Sequence, residues 1–136
     1  MAKLQDIMAS VRSLIAAMPG VGTVYDTFAA PNLPESEFPL VVFRFRGVGV
    51  ETAFGDSIDR LVGLMSVYHY TLAANGPGPT RELSDKTFEA LHRIQPGVPG
   101  FADVQLRCLT CGPVDAIGEG MYAQADDYEI RAGASA

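Results

Sequence analysis

The chain has 136 residues, enough for one domain with a single core, and a hydrophobic content of 48% with 19% charged residues excludes a disordered polypeptide. A formal net charge of −6, with ten Lys and Arg scattered along the chain, excludes an electrostatic grip on nucleic acid, which needs clustered basic side chains. Two cysteines are too few for the disulfide framework of a small secreted fold.

Leu4, Ile7, Met8, Val11, Leu14, Ile15 and Met18 recur at steps of three and four, which predicts a helix that buries all seven on one face. Pro19-Gly20 stops it, since proline cannot continue the hydrogen-bond ladder and glycine suits the turn after a helix. With Lys3, Asp6 and Arg12 the segment is too short and too polar to span a bilayer, and it lacks the Lys/Arg-rich face of a surface anchor. It also lacks the basic start, apolar middle and small-residue exit of a signal peptide, so the expectation is a cytoplasmic protein without membrane contact.

Thr23 to Asp26 reads as a short strand, and Ala29 to Glu37, interrupted by Pro31 and Pro34, reads as a loop. Phe38 to Arg46 predicts a strand whose dry face carries Val41, Phe43 and Phe45, with Arg44 and Arg46 emerging on the other side. Gly47 to Asp59, rich in glycine and acids, reads as a long hairpin loop, of the length that in a compact domain is usually functional or disordered. Its Phe54 and Ile58 have no evident core to enter, and a partner surface would give them one. The expectation is a loop that is mobile in a monomer and ordered by assembly.

Leu61 to Leu72, rich in Val and Tyr, predicts a strand antiparallel to the preceding one, ended by Asn75 to Pro79. The following helix has Thr80 or Ser84 as caps, Glu82 and Asp85 near its positive end, and Leu83, Thr87, Phe88, Leu91 and Ile94 on the face toward the sheet. Pro96 to Gly100 breaks the chain, Asp103 to Thr110 alternates as a half-buried strand, Asp115 to Gly120 connects, and Met121 to Ala132 supplies a last strand with Tyr128 and Ile130 on one side. Ala134 to Ala136 reads as a frayed tail. The sum is a single α+β domain over residues 1–136, with a mostly antiparallel sheet of four to five strands and two helices packed on one face. The other face is left uncovered.

Few residues hint at chemistry. Cys108-Leu-Thr-Cys111 has the spacing of a zinc or redox pair, but a structural zinc needs four ligands and only His69 and His92 remain to supply them. A redox pair normally sits at a helix N-terminus, whereas this one ends a strand, so the reading is one cysteine packed as a small hydrophobe and one in a turn. His69 is read as partly buried, or exposed between tyrosines, and His92 as a cation favoured near a helix C-terminus. Asp126 and Asp127 are adjacent on a strand and point to opposite faces, which spoils them as a carboxylate pair. No catalytic residue, metal site or cofactor is expected.

An N-terminal amphipathic helix ending in Pro-Gly-Val-Gly-Thr-Val-Tyr, a proline-rich loop, the strand FPLVVFRF, a valine-tyrosine strand, a helix carrying TFEALHRI and a closing YEIRA strand follow one another along nearly the whole chain. That order resembles the tail terminator and tail-completion proteins of long-tailed phages and prophages. The resemblance implies a non-enzymatic subunit of a homo-oligomeric ring, usually of six, in the virion at the head-proximal end of the tail tube and assembled in the host cytoplasm. Such a ring stops tube polymerisation and offers a docking surface to head-completion or neck proteins, while DNA passes through without specific binding. On this resemblance the interface residues are Phe54, Ile58, Asp56, Asp59, Arg44, Arg46, Glu35 and Glu37, with the tube protein and further copies of the chain as partners. Two alternatives stand beside it: another neck or minor tail ring component, and a small-ligand-binding or enzymatic α+β domain with a pocket between helices and sheet near His69 or the cysteines.

Overall fold

Helix α1, Leu4–Ala16, forms where the three- and four-residue spacing predicts it and buries Ile7, Val11 and Ile15. Gly20, with φ 79, makes the turn after it. The structure, a computed structural model, describes residues 3–26, 34–51, 60–118 and 120–134. Strand β1 (Thr23–Tyr25) pairs in parallel with β2 (Leu40–Glu51), which pairs antiparallel with β3 (Arg60–Leu72). Helix α2 (Gly78–Leu91) then leads to β4 (Phe101–Cys111), the short β5 (Asp115–Ile117) and β6 (Met121–Ala134). The sheet order is β1-β2-β3-β6-β4, with β5 also on β6. The α+β class, the mostly antiparallel sheet and the two helices packed against it agree with the sequence reading.

Five details differ, one of them that Ala134, expected in a frayed tail, ends β6 opposite Phe101. The sheet has six strands rather than four to five, because Asp115–Ile117, expected as a connection, pairs with Met121–Ala123. Gly47–Glu51, expected as loop, continues β2: Val48 lies opposite Gly63 and Glu51 opposite Arg60, and the long partner strand carries the glycines. Helix α2 starts at Gly78, since Pro79 falls in the first turn, where its missing N–H costs nothing. Thr80 and Ser84 are therefore not caps; they are buried inside the helix, while Phe88 is 39% exposed and Ile94 lies beyond the helix.

The core lies between the helices and one sheet face. Val41 and Phe43 of β2, Met65 and Val67 of β3, Leu106 of β4 and Tyr128 and Ile130 of β6 meet Ile7, Val11 and Ile15 of α1 and Leu83 and Leu91 of α2. Lys86 Nζ donates to Pro19 O at 3.1 Å, tying α2 to the end of α1. The β4 edge, which would otherwise offer free backbone groups, is covered by the chain leaving α2. Arg93 N donates to Leu106 O at 2.8 Å, Leu106 N donates to Ile94 O at 3.3 Å, and Cys108 N donates to His92 Nδ1 at 3.0 Å.

Candidate assembly interface

Strand alternation decides what the uncovered sheet face carries. On β3, Leu61, Met65, Val67 and His69 point to the helices, so Val62, Leu64, Ser66, Tyr68 and Tyr70 point away. Val62 and Leu64 are 42% and 38% exposed, and Ile117, paired with Met121 on the same face, is 43% exposed. Tyr68 and Tyr70 stack with ring centroids 6.4 Å apart. Charged pairs divide this face: Arg46 of β2 reaches across β3 to Asp127 of β6 at 3.0 Å, where Ser66 Oγ also donates at 3.0 Å, and Arg131 and Arg107 meet Glu129 at 2.8 and 3.5 Å. Toward the Tyr68–Tyr70 end the same face buries Leu40 and Val42, and at the other end exposed Val62 and Leu64, rimmed by paired charges, have the form of a protein contact surface.

The expected interface residues divide into three groups. Phe54, Asp56, Ile58 and Asp59 lie outside the described residues. Arg44 and Arg46 do emerge on the uncovered face, as alternation requires, and Arg46 is already engaged by Asp127. Glu35 and Glu37 sit on a short 3-10 turn before β2, where Glu37 accepts a 2.5 Å hydrogen bond from the Tyr25 hydroxyl. That bond, burial and the carboxylate charge together raise the Tyr25 phenol above its ordinary value. Arg44 lies four residues into β2, about 14 Å along the strand at about 3.4 Å per residue, while Glu35 and Glu37 precede the strand. Val62, Leu64 and Ile117 were missed, although the alternation of β3 is the signal that places the first two.

A second polar constellation is buried under α2. His69, Thr87, Ser84, Gln124 and Asp126 are all buried. Gln124 Nε2 donates to Ser84 Oγ at 2.7 Å and to Asp126 Oδ1 at 3.0 Å, Ser84 donates to Asp126 Oδ2, and Gly112 N donates to Asp126 Oδ1 at 3.1 Å. His69 Nδ1 is 3.1 Å from Gln124 O and 3.6 Å from Asp126, and its Nε2 is 2.8 Å from Thr87 Oγ1. Hydroxyl, imidazole and carboxylate are lined up, but Thr87 and His69 are 0% exposed, so a substrate has no path to them. The expected partly buried or exposed His69 is thus corrected to a fully buried one: its polar partners come from α2 and β6, which sequence does not bring beside it. Among the described residues no group of three or more His, Cys, Asp and Glu is placed to hold a metal ion.

Burial lowers the His69 pKa, with the Asp126 charge and the Gln124 carbonyl pulling the other way. In the neutral ring Nδ1–H donates to Gln124 O, and Nε2 accepts only when the Thr87 hydroxyl, which also lies 3.1 Å from Leu83 O, turns its one proton to the ring. Unfolded histidine takes up a proton near pH 6.5, and the folded chain does so only at lower pH. The resulting stability is complete above about pH 6.5 and is lost as pH falls toward the folded value. Thermal melts are expected to shift downward between pH 7.5 and 5.5, with the shift much reduced in His69→Gln. A melting temperature that rises on acidification would instead mean a charged His69–Asp126 pair in the fold.

A cavity of about 380 Å³ opens between the uncovered face and the chain after α2, lined by Arg93, Gln95, Gln105, Arg107, Glu129 and Arg131. It is shallow, and its cations surround a single acid. No helix among the described residues is long and apolar enough to cross a membrane.

No protein-family model matches the sequence, and neither does any curated protein. Solved structures do match the fold. A chain in the virion of a native gene transfer agent particle is 17% identical and superimposes with a TM-score of 0.53, covering 95% of this chain and 90% of its own. A solved chain known only by a sequence identifier is 11% identical with a TM-score of 0.68, covering 100% of this chain and 99% of its own. Both likenesses run over nearly the whole length, so the complete α+β unit is shared. At these identities what is shared is the fold.

Proposed function

We propose that this chain is a non-enzymatic virion structural protein that forms a ring capping the head-proximal end of a phage tail tube, stopping tube polymerisation and presenting the surface to which head-completion proteins dock. The observation that carries the reading is the full-length likeness to a chain that is itself part of a virion. Val62 and Leu64, exposed on the sheet face away from the helices, support it by offering apolar surface to a partner. The net charge of −6 suits a channel through which DNA slides without sticking. On this reading the ring is a homo-oligomer, with hexamer the expected size.

The reading is tested by native mass across a concentration series, with images of any large species. Rings, or monomers that form rings on addition of tail-tube protein, are the expected outcome; a concentration-independent monomer that ignores tube protein would contradict it. Leu64→Asp, alone or with Val62→Asp, is expected to shift rings to monomers, with about 1–2 kcal/mol of unfolding free energy lost per site because both sit on a central strand and Leu64 lies opposite Glu129. A double variant that still assembles at wild-type concentrations would remove the uncovered face from the contact.

A further inference from the structure

In a regular strand, residues three apart point to opposite faces. Cys108 and Cys111 do not. The pairing of β4 with β6 is interrupted between Cys108 and Thr110: Cys108 lies opposite Tyr128 and Thr110 opposite Asp127, with Leu109 left over as a bulge. Cys111 therefore falls opposite Asp126, on the same face as Cys108. The two Sγ atoms are 3.7 Å apart, both thiols are free, Cys111 is exposed and Cys108 is half-buried. The bulge is held from the following residue. Gly112 N donates to Ala125 O at 2.9 Å and to Asp126 Oδ1 at 3.1 Å, and a Cβ at Gly112 would stand 2.3 Å from Ala125 O, so only glycine permits this approach.

We propose that Cys108 and Cys111 form a dithiol site that reacts with small disulfides and closes into an intrachain disulfide across the β4 bulge. The exposed Cys111 reacts first: its thiolate attacks one sulfur of a low-molecular-weight disulfide, the S–S bond breaks, and one small thiolate leaves. Cys108 then attacks the Cys111 sulfur, and the second small thiolate leaves. The protein dithiol loses two electrons, the small disulfide gains them, and the two cysteine protons end on the released thiols. The sulfurs approach from 3.7 Å to a bond of about 2 Å, a movement that side-chain rotation at an edge bulge can supply. The exposed Cys111 is the sulfur a small disulfide can reach, which leaves to Cys108, whose thiol is pushed up to about 12 by burial, the second, resolving step. On the virion reading above, release of a particle from a cell would carry the pair from a reducing to an oxidising medium and lock the edge strand. The exchange chemistry itself is independent of that reading.

The reduced chain is equilibrated with oxidised and reduced glutathione, folded and in guanidinium, and read by intact mass after acid quenching. The folded wild type is expected to lose two hydrogens and retain no glutathione, while Cys108→Ser keeps one glutathione on Cys111. The equilibrium constant for closure is expected to be at least about tenfold larger folded than denatured, equivalent to a midpoint potential about 30 mV more negative. A glutathione adduct that persists on the folded wild type, absence of reaction, or a closure constant no larger in the folded chain than in guanidinium would each overturn the proposal.

Discussion

Replacing Asp126 by alanine is expected to lower the unfolding free energy by about 1–3 kcal/mol, out of the roughly 5–15 kcal/mol typical of a domain. Asp126 is 0% exposed and is the shared acceptor for Ser84, Gln124 and the Gly112 backbone. Without it the buried Ser84 hydroxyl loses its acceptor, at about 1–3 kcal/mol for an unsatisfied group, while Gln124 Nε2 keeps Ser84 Oγ and Gly112 N keeps Ala125 O. The β4 bulge should be affected less, because Gly112 N retains its bond to Ala125 O. Asp126→Asn, which keeps the volume and one carbonyl acceptor, should cost less than alanine. Urea denaturation of both variants checks this. A change below about 1 kcal/mol for alanine would mean that the network is rebuilt around water and holds little of the fold.

Phe43→Ala is the second large effect, expected at about 3–5 kcal/mol. Phe43 lies on β2 opposite Val67, is 0% exposed, and belongs to the core that α1 closes. The cost combines lost transfer energy with the cavity left between α1 and the sheet, since neighbouring strands cannot collapse into it. At roughly 4 °C per kcal/mol for a domain of this size, the melting temperature should fall by about 12–20 °C. Phe43→Leu should lose much less. Near-equal melting of the alanine and leucine variants would show that α1 shifts to fill the space, and that the helix is not fixed on the sheet as described.

The elements legible in the sequence were those whose packing is apolar. Ile7, Val11 and Ile15 announce α1 by spacing alone, and Val41, Phe43, Tyr128 and Ile130 announce the faces of β2 and β6. Thr80 and Ser84 defeated the same logic. Hydroxyls near a helix start read as caps, whereas here they are buried because Thr71 and Asp126 offer them polar partners, while Thr87 lies on the sheet-facing side as its spacing predicts. Gly47 and Gly49 read as loop because glycine lowers strand propensity, yet the ladder to β3 carries them as far as Glu51. The placement of the two cysteines on one face was not legible either, since it depends on one unpaired residue, Leu109. Half of the residues expected at the interface lie outside the described chain. The exposed stripe of Val62 and Leu64 was present in the alternation of β3, although an isolated exposed apolar residue carries no meaning until the opposite face is known to be covered.

The most direct test of the proposed role is the length distribution of tail tubes assembled from purified tube subunits, with this chain added or withheld. The account predicts that the added chain arrests elongation, leaves a ring of density at one tube end, and does so poorly as Leu64→Asp. Tubes that elongate at the same rate to the same lengths, with bare ends and the chain left in solution, would contradict it.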